Sequence, residues 1–243
     1  MRLAAILLVI GFLVQDTPGT APAMPPAAAA SSATAGTTPA TDSGSRVRSY
    51  LALGDSYTIG QSVDPSDRYP VQLVKMLNAD GQNYGGPEIV ATSGWTTANL
   101  LNALRDKKAD TPYDLVTLLI GVNNQYQRKS QARYREEFAL LLQQAIGLAG
   151  DNASHVLVLS IPDYSVTPFA RFLDKDLIVS QLDSFNRINK ETSRHYKVHY
   201  LDITWESRRA ADDPSLIAED GLHFSGKEYG IWAGMMEKPV RKL

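Results

Sequence analysis

The chain has 243 residues, a formal net charge of −2 and no cysteine. A nearly balanced charge without a basic stripe argues against nucleic acid as a partner, and the lack of cysteine excludes disulfides and a lipid-modified cysteine at a signal junction. An oxidising compartment stays open, because about 195 residues form one domain whose core needs no covalent staple.

Arg2 precedes an apolar stretch over residues 3–14. That stretch is short for a bilayer span but has the length of a signal-peptide core, and Ala21-Pro22-Ala23 fits the small-x-small cleavage pattern. The expectation is a signal peptide over residues 1–23 and an exported protein, periplasmic or secreted, with no stable membrane insertion after cleavage. An uncleaved N-terminal anchor is the alternative. Residues 24–45 are mainly Ala, Pro, Thr, Ser and Gly, too poor in large apolar side chains to offset the entropy of ordering, and read as a flexible linker. The folded domain is expected over residues 46–243.

Within that domain extended and helical patterns alternate. Residues 49–53 read as a buried strand, 67–77 as a helix, 88–92 as extended, and 96–104 as a helix capped by Thr96 or Thr97. Residues 115–120 are apolar on both faces, as a central parallel strand requires. A long amphipathic helix over 131–148, a buried strand over 155–160, a helix over 174–196, a last strand over 198–202 and a closing helix over 225–236 complete the pattern. The fold class expected is α/β: a doubly wound, mostly parallel five-stranded sheet with helices on both faces. Ligands in such folds sit at the carboxyl ends of the strands.

Four short blocks fall at those ends. Gly54-Asp55-Ser56-Tyr57 follows the first strand, Gly94 in Ala91-Thr92-Ser93-Gly94-Trp95 the second, and Gly121-Val122-Asn123-Asn124 the third. Asp220-Gly221-Leu222-His223 lies beyond the fifth. A serine hydroxyl becomes a nucleophile when a base takes its proton and a third group orients that base; Ser56, His223 and Asp220 supply the three. The three-residue spacing from Asp220 to His223 lets the carboxylate hold the imidazole in one tautomer.

In these blocks the chain resembles the SGNH, or GDSL-type, hydrolases over nearly all of residues 46–243. The resemblance implies a flavodoxin-like sandwich and an esterase or acylhydrolase activity. It assigns the nucleophile to Ser56, the Asp and His of the triad to Asp220 and His223, and the oxyanion hole to Gly94 and Asn123 with the Ser56 backbone. Such donors, fixed in advance around a developing oxyanion, are what acyl transfer needs. One position departs from the family: Asn124 stands where the third block commonly has Asp. Asp55 reads as a residue that shapes the turn.

No cofactor and no metal site is expected. His195 and His199 are four apart, but an extended run begins between them, and His155 has no acidic neighbour at ligand spacing. Trp95 and Asn124 are candidates for contact with substrate, and Asn124 and Gln125 suggest a polar rim. The expected partner is a small-molecule or carbohydrate ester, with a short acyl group such as acetyl. A lysophospholipase or thioesterase of the same fold, or a carbohydrate-binding module without turnover, are the alternatives.

Overall fold

Leu51, Ala52 and Leu53 are wholly buried in β1 (Tyr50–Gly54) because a neighbour flanks the strand on each side. A computed structural model describes residues 46–243, and the signal peptide and linker expected before residue 46 lie outside the described residues. On one side β1 pairs in parallel with β2 (Glu88–Ala91), on the other with β3 (Leu115–Leu119). β4 (Val156–Leu159) and β5 (His199–Leu201) extend the sheet, giving the order β2-β1-β3-β4-β5 with every pairing parallel.

This order dictates where the helices go. Right-handed crossovers from β1 outward to β2 and back from β2 to β3 run in opposite directions along the sheet, so their helices fall on opposite faces. The step from β1 to β2 carries α1 (Ser56–Ile59) and α2 (Tyr69–Ala79), and the return step carries α3 (Thr97–Leu104). α4 (Val122–Tyr126) and α5 (Gln131–Leu148) lead to β4, α6 (Lys175–Tyr196) to β5, and α7 (Thr204–Ser207) and α8 (Gly226–Val240) close the chain. The packing agrees: α3, α5 and α6 form one row, and α8 returns to pack on α2.

The helices form where apolar spacing and caps coincide. α6 buries Ile178, Leu182, Phe185 and Ile188 along one stripe, begins where Asp174 Oδ1 accepts from the Leu177 N–H (3.0 Å), and ends at Lys197 in the left-handed conformation. Each fully buried leucine or phenylalanine contributes about 1.5–3 kcal/mol. The strand and helix cores expected from the sequence are present, and the differences sit at their ends. α8 runs on to Val240 although Pro239 lies in its last turn, and α1, α4 and α7 were not anticipated. The strand order reverses between β1 and β3, which opens a crevice at their carboxyl ends.

Candidate active site

Ser56 is the first residue of α1, directly past the end of β1 and beside that crevice. Asp55 caps the helix, its Oδ1 accepting from the Tyr57 N–H at 3.1 Å. Burial pushes the Asp55 carboxyl up to about 7, against the opposing pull of the Tyr57 and Gly121 N–H groups. Asp55 therefore shapes the corner beneath the serine. The corner is tight because Gly54 brings the chain against its neighbours: a Cβ there would collide with Thr58 Oγ1 and with the Leu119 carbonyl oxygen of β3.

The fourth block is a loop folded around one carboxylate. Asp220 Oδ1 accepts from the N–H groups of Leu222 and His223, both at 2.9 Å, and Oδ2 stands 2.6 Å from His223 Nδ1. Burial alone would raise the Asp220 pKa, but donors including the Ser62 hydroxyl and His223 outweigh it and hold the carboxyl well below its usual range. A carboxylate at Nδ1 fixes the proton there and leaves Nε2 as the acceptor. The ring of Tyr57 meets that of His223 edge-on, with centroids 5.8 Å apart. The backbone secures the loop further, since Ala218 N–H donates to the His223 carbonyl (2.8 Å) and Phe169 N–H to the Gly221 carbonyl (2.9 Å).

Asn123 lies in α4, past the end of β3, and one of its amide N–H groups donates to the Trp95 carbonyl at 3.0 Å. This bond ties α4 to the turn that carries Gly94 and leaves the second amide N–H of Asn123 free in direction. Gly94 is exposed, with φ of +83°, a conformation that favours glycine.

Ser56, Asn123 and His223 line one cleft of about 270 Å³, together with Tyr57, Val122, Tyr126, Tyr164, Phe169 and Leu222. No hydrogen bond joins the Ser56 hydroxyl to His223 among the described residues, and such bonds often tighten only when substrate is bound. The polar rim anticipated from the sequence is absent from this cleft. Asn124 is buried against α3, where its Oδ1 accepts from the Thr97 N–H (3.0 Å) and its Nδ2 donates to Thr97 Oγ1 (2.7 Å). Gln125 is buried too, donating to Gln181 and accepting from the Tyr164 hydroxyl. Trp95 packs against the hydrophobic core and is not among the cleft-lining residues. The physical reason is that residues 122–126 are helical, so successive side chains turn by about 100° and Asn124 points away from Asn123. Tyr126, three residues on, shares the face of Asn123 and lines the cleft.

Among the described residues no group of three or more His, Cys, Asp or Glu side chains could hold a metal ion. None of their helices is long and apolar enough to cross a membrane.

Residues 52–231 match the profile of the GDSL-like lipase/acylhydrolase family. The chain belongs to that family. Membership makes it a carboxylic ester hydrolase, the enzyme class the four blocks had implied. Among solved structures it is similar to a lipase/acylhydrolase from Enterococcus faecalis, at 17% identity and a TM-score of 0.65, covering 81% of this chain and 96% of that one. It is similar to the protein described as TesA at 19% identity and a TM-score of 0.61, covering 80% and 99%. A third likeness is to Axe2, an acetylxylan esterase from Geobacillus stearothermophilus, at 17% identity and a TM-score of 0.59, covering 79% and 94%. At these identities the likeness is one of fold, the three-layer sandwich with its parallel sheet. No curated protein sequence matches the chain.

Proposed function

We propose that the protein is a serine ester hydrolase in which Ser56, His223 and Asp220 form the triad, with Asn123, Gly94 and the Ser56 backbone as oxyanion donors. The observation that carries the reading is the cleft shared by Ser56 and His223, with the His223 Nδ1 held 2.6 Å from a carboxylate. Ser56 Oγ attacks the ester carbonyl as His223 Nε2 takes its proton. The oxyanion draws on the free N–H of Asn123 and on backbone N–H groups. The imidazolium then protonates the departing alcohol, and water repeats the sequence on the acyl-enzyme. A fluorophosphonate is expected to label wild-type protein at Ser56 and to leave Ser56→Ala unlabelled while its circular dichroism stays native. Labelling that persists in the variant removes Ser56 from the role.

The substrate reading follows the cleft wall. Tyr126, Tyr164, Phe169, Val122 and Leu222 give it an apolar, largely aromatic lining, which favours an ester with several methylenes in its acyl or alcohol part, each worth about 0.8 kcal/mol when buried. Acetylated carbohydrate is the second reading, favoured by the fold's likeness to acetyl xylan esterases and by the stacking surface that exposed Tyr126 and Phe169 offer. A series of p-nitrophenyl esters from acetyl to decanoyl, beside acetylated xylo-oligosaccharide, separates them: kcat/KM that climbs through hexanoyl supports the first, and a maximum at acetyl the second. Export is inferred from residues 1–23 alone, and N-terminal sequencing of protein recovered outside the cytoplasm tests it.

A further inference from the structure

The chain leaves α1 through a reversal that needs two residues in the left-handed region, Gly60 at φ of +67° and Ser62 at +64°. Glycine takes that conformation at no steric cost, whereas a serine there is uncommon and carries strain. An L side chain kept at such a position invites a search for what it does. The Ser62 hydroxyl donates to Asp220 Oδ2 at 2.7 Å, across 158 positions of sequence. That same oxygen stands 2.6 Å from His223 Nδ1. One residue earlier, Gln61 Oε1 accepts from the Ser93 hydroxyl at 2.6 Å, next to Gly94. Residues 60–62 thus join the three parts of the site: α1 with Ser56, the turn with Gly94, and the loop with Asp220 and His223.

We propose that Ser62 is a positioning residue that shares Asp220 Oδ2 with His223, fixing the carboxylate's angle and limiting how much of its charge the imidazole feels. The proposal rests on the triad reading above. It reaches beyond that reading in naming a fourth side chain, on the same carboxylate oxygen as the base. Asp220 needs such a partner because its side chain is 31% exposed, against 13% for His223. Its other oxygen is held by the Leu222 and His223 N–H groups within its own loop. Without the Ser62 hydroxyl, Oδ2 keeps His223 as its side-chain partner, the imidazole meets the oxygen's full charge, and the carboxylate can turn about its last bond. The titratable groups around the imidazole come from its own loop, from the cleft wall and from α1, where Asp55 has its carboxyl pushed up to about 7 by burial. Asp220 shares its loop, Tyr57 meets its ring from α1 and has its pKa pushed far up by burial, and Tyr126 and Tyr164 share the cleft.

A hydroxyl donated to Oδ2 withdraws negative charge from the oxygen that stabilises the imidazolium, so removing it strengthens the His223–Asp220 pair and favours protonated His223. Ser62→Ala and Ser62→Gly are expected to lower kcat about 3- to 30-fold with KM nearly constant. They are also expected to move the acidic limb of kcat/KM to higher pH. Glycine is the sharper variant, because it relieves the backbone strain while deleting the hydroxyl: stability rises as activity falls. Ser62→Thr keeps the hydroxyl on a strained backbone, so its acidic limb is expected to stay at the wild-type pH even where its thermal midpoint drops.

The measurements are the pH profiles of wild type and the three variants, and the titration of the His223 ring by proton NMR, assigned by difference against His223→Ala. An acidic limb and a ring titration unmoved in both Ala and Gly overturn the proposal and leave Ser62 as a mere loop contact. A shifted limb in Thr equal to that in Ala overturns it as well. If the NMR titration moves as expected but wild-type protein shows no esterase activity and no fluorophosphonate label, the triad reading has failed and the Ser62 contact stands.

Discussion

The proposed nucleophile and its proposed base are held in contrasting ways. Ser56 is 5% exposed and Asp55 and Tyr57 are more deeply buried still, on a corner whose backbone continues directly from the inner strand β1. Asp220 and His223 lie on an open loop and owe their geometry to hydrogen bonds within four residues, to Ser62, and to the neighbouring Phe169 backbone. The corner continues from the sheet, whereas the loop is held by hydrogen bonds of its own and by a few from Ser62 and Phe169. Substitutions in the corner should therefore damage folding and activity together, and substitutions in the loop should damage activity alone.

Asp220→Asn gives the largest separation of the two. The amide cannot hold Nδ1–H as a carboxylate does, so kcat is expected to fall by about 10³–10⁴, while the thermal midpoint stays within a few degrees because the side chain is part-exposed. A large loss of stability would show that the loop is as integral to the core as the corner. Asn123→Ala comes next, with an expected loss of about 10²–10³ in kcat and a smaller change in KM, since an oxyanion donor acts mainly in the transition state. Steady-state kinetics on one p-nitrophenyl ester reads both.

Gly54→Ala probes the corner. Its new Cβ has no room between Thr58 and the Leu119 carbonyl, and stability is expected to drop by about 1–3 kcal/mol, with activity falling alongside as Ser56 shifts. Chemical denaturation and kinetics on the same preparation test the coupling, and an unstable variant with full turnover would break it.

The smallest effect on activity lies away from the cleft. Glu228 in α8 is fully buried, and burial pushes its carboxyl up to about 7, despite the Trp232 indole N–H donated to Oε1 at 2.7 Å. The folded state then holds a proton that the unfolded state, near 4.5, releases. Stability from this group is complete below the unfolded value and is lost as pH rises through about 7. Glu228→Gln is expected to stabilise the protein at pH 8 by on the order of 1–3 kcal/mol, with the gain shrinking toward pH 5. Thermal melts at the two pH values decide, and a gain independent of pH counts against a buried neutral acid.

Much of the fold was legible because its elements are long enough to show a period. α5 begins and ends at the expected residues, and Thr96 and Asp174 cap the helices they announce. The first three blocks could be placed at strand ends for the same reason, while α7 and further turns separate the fourth from β5. What stayed hidden were helices of four or five residues, too short for any periodicity, and this had a cost at the site. Read as a loop, residues 122–126 put Asn124 beside Asn123 in the cleft; read as a helix, they bury Asn124 and present Tyr126. Ser62 was hidden for another reason, since neither its positive φ nor its contact with a residue 158 positions away leaves a mark on the local sequence.

The bond from the Phe169 N–H to the Gly221 carbonyl makes one backbone proton a reporter on catalytic order. Phe169 belongs to the cleft wall and Gly221 sits between Asp220 and His223, so the amide exchanges with solvent deuterium only when wall and loop part. Its exchange rate measures how often the wall and the loop separate without any substrate being turned over. A ligand that fills the cleft and slows that exchange acts on the loop and the wall as one hinged unit. In that case selection for a new substrate at Phe169 would change the placement of the base as well as the shape of the cleft.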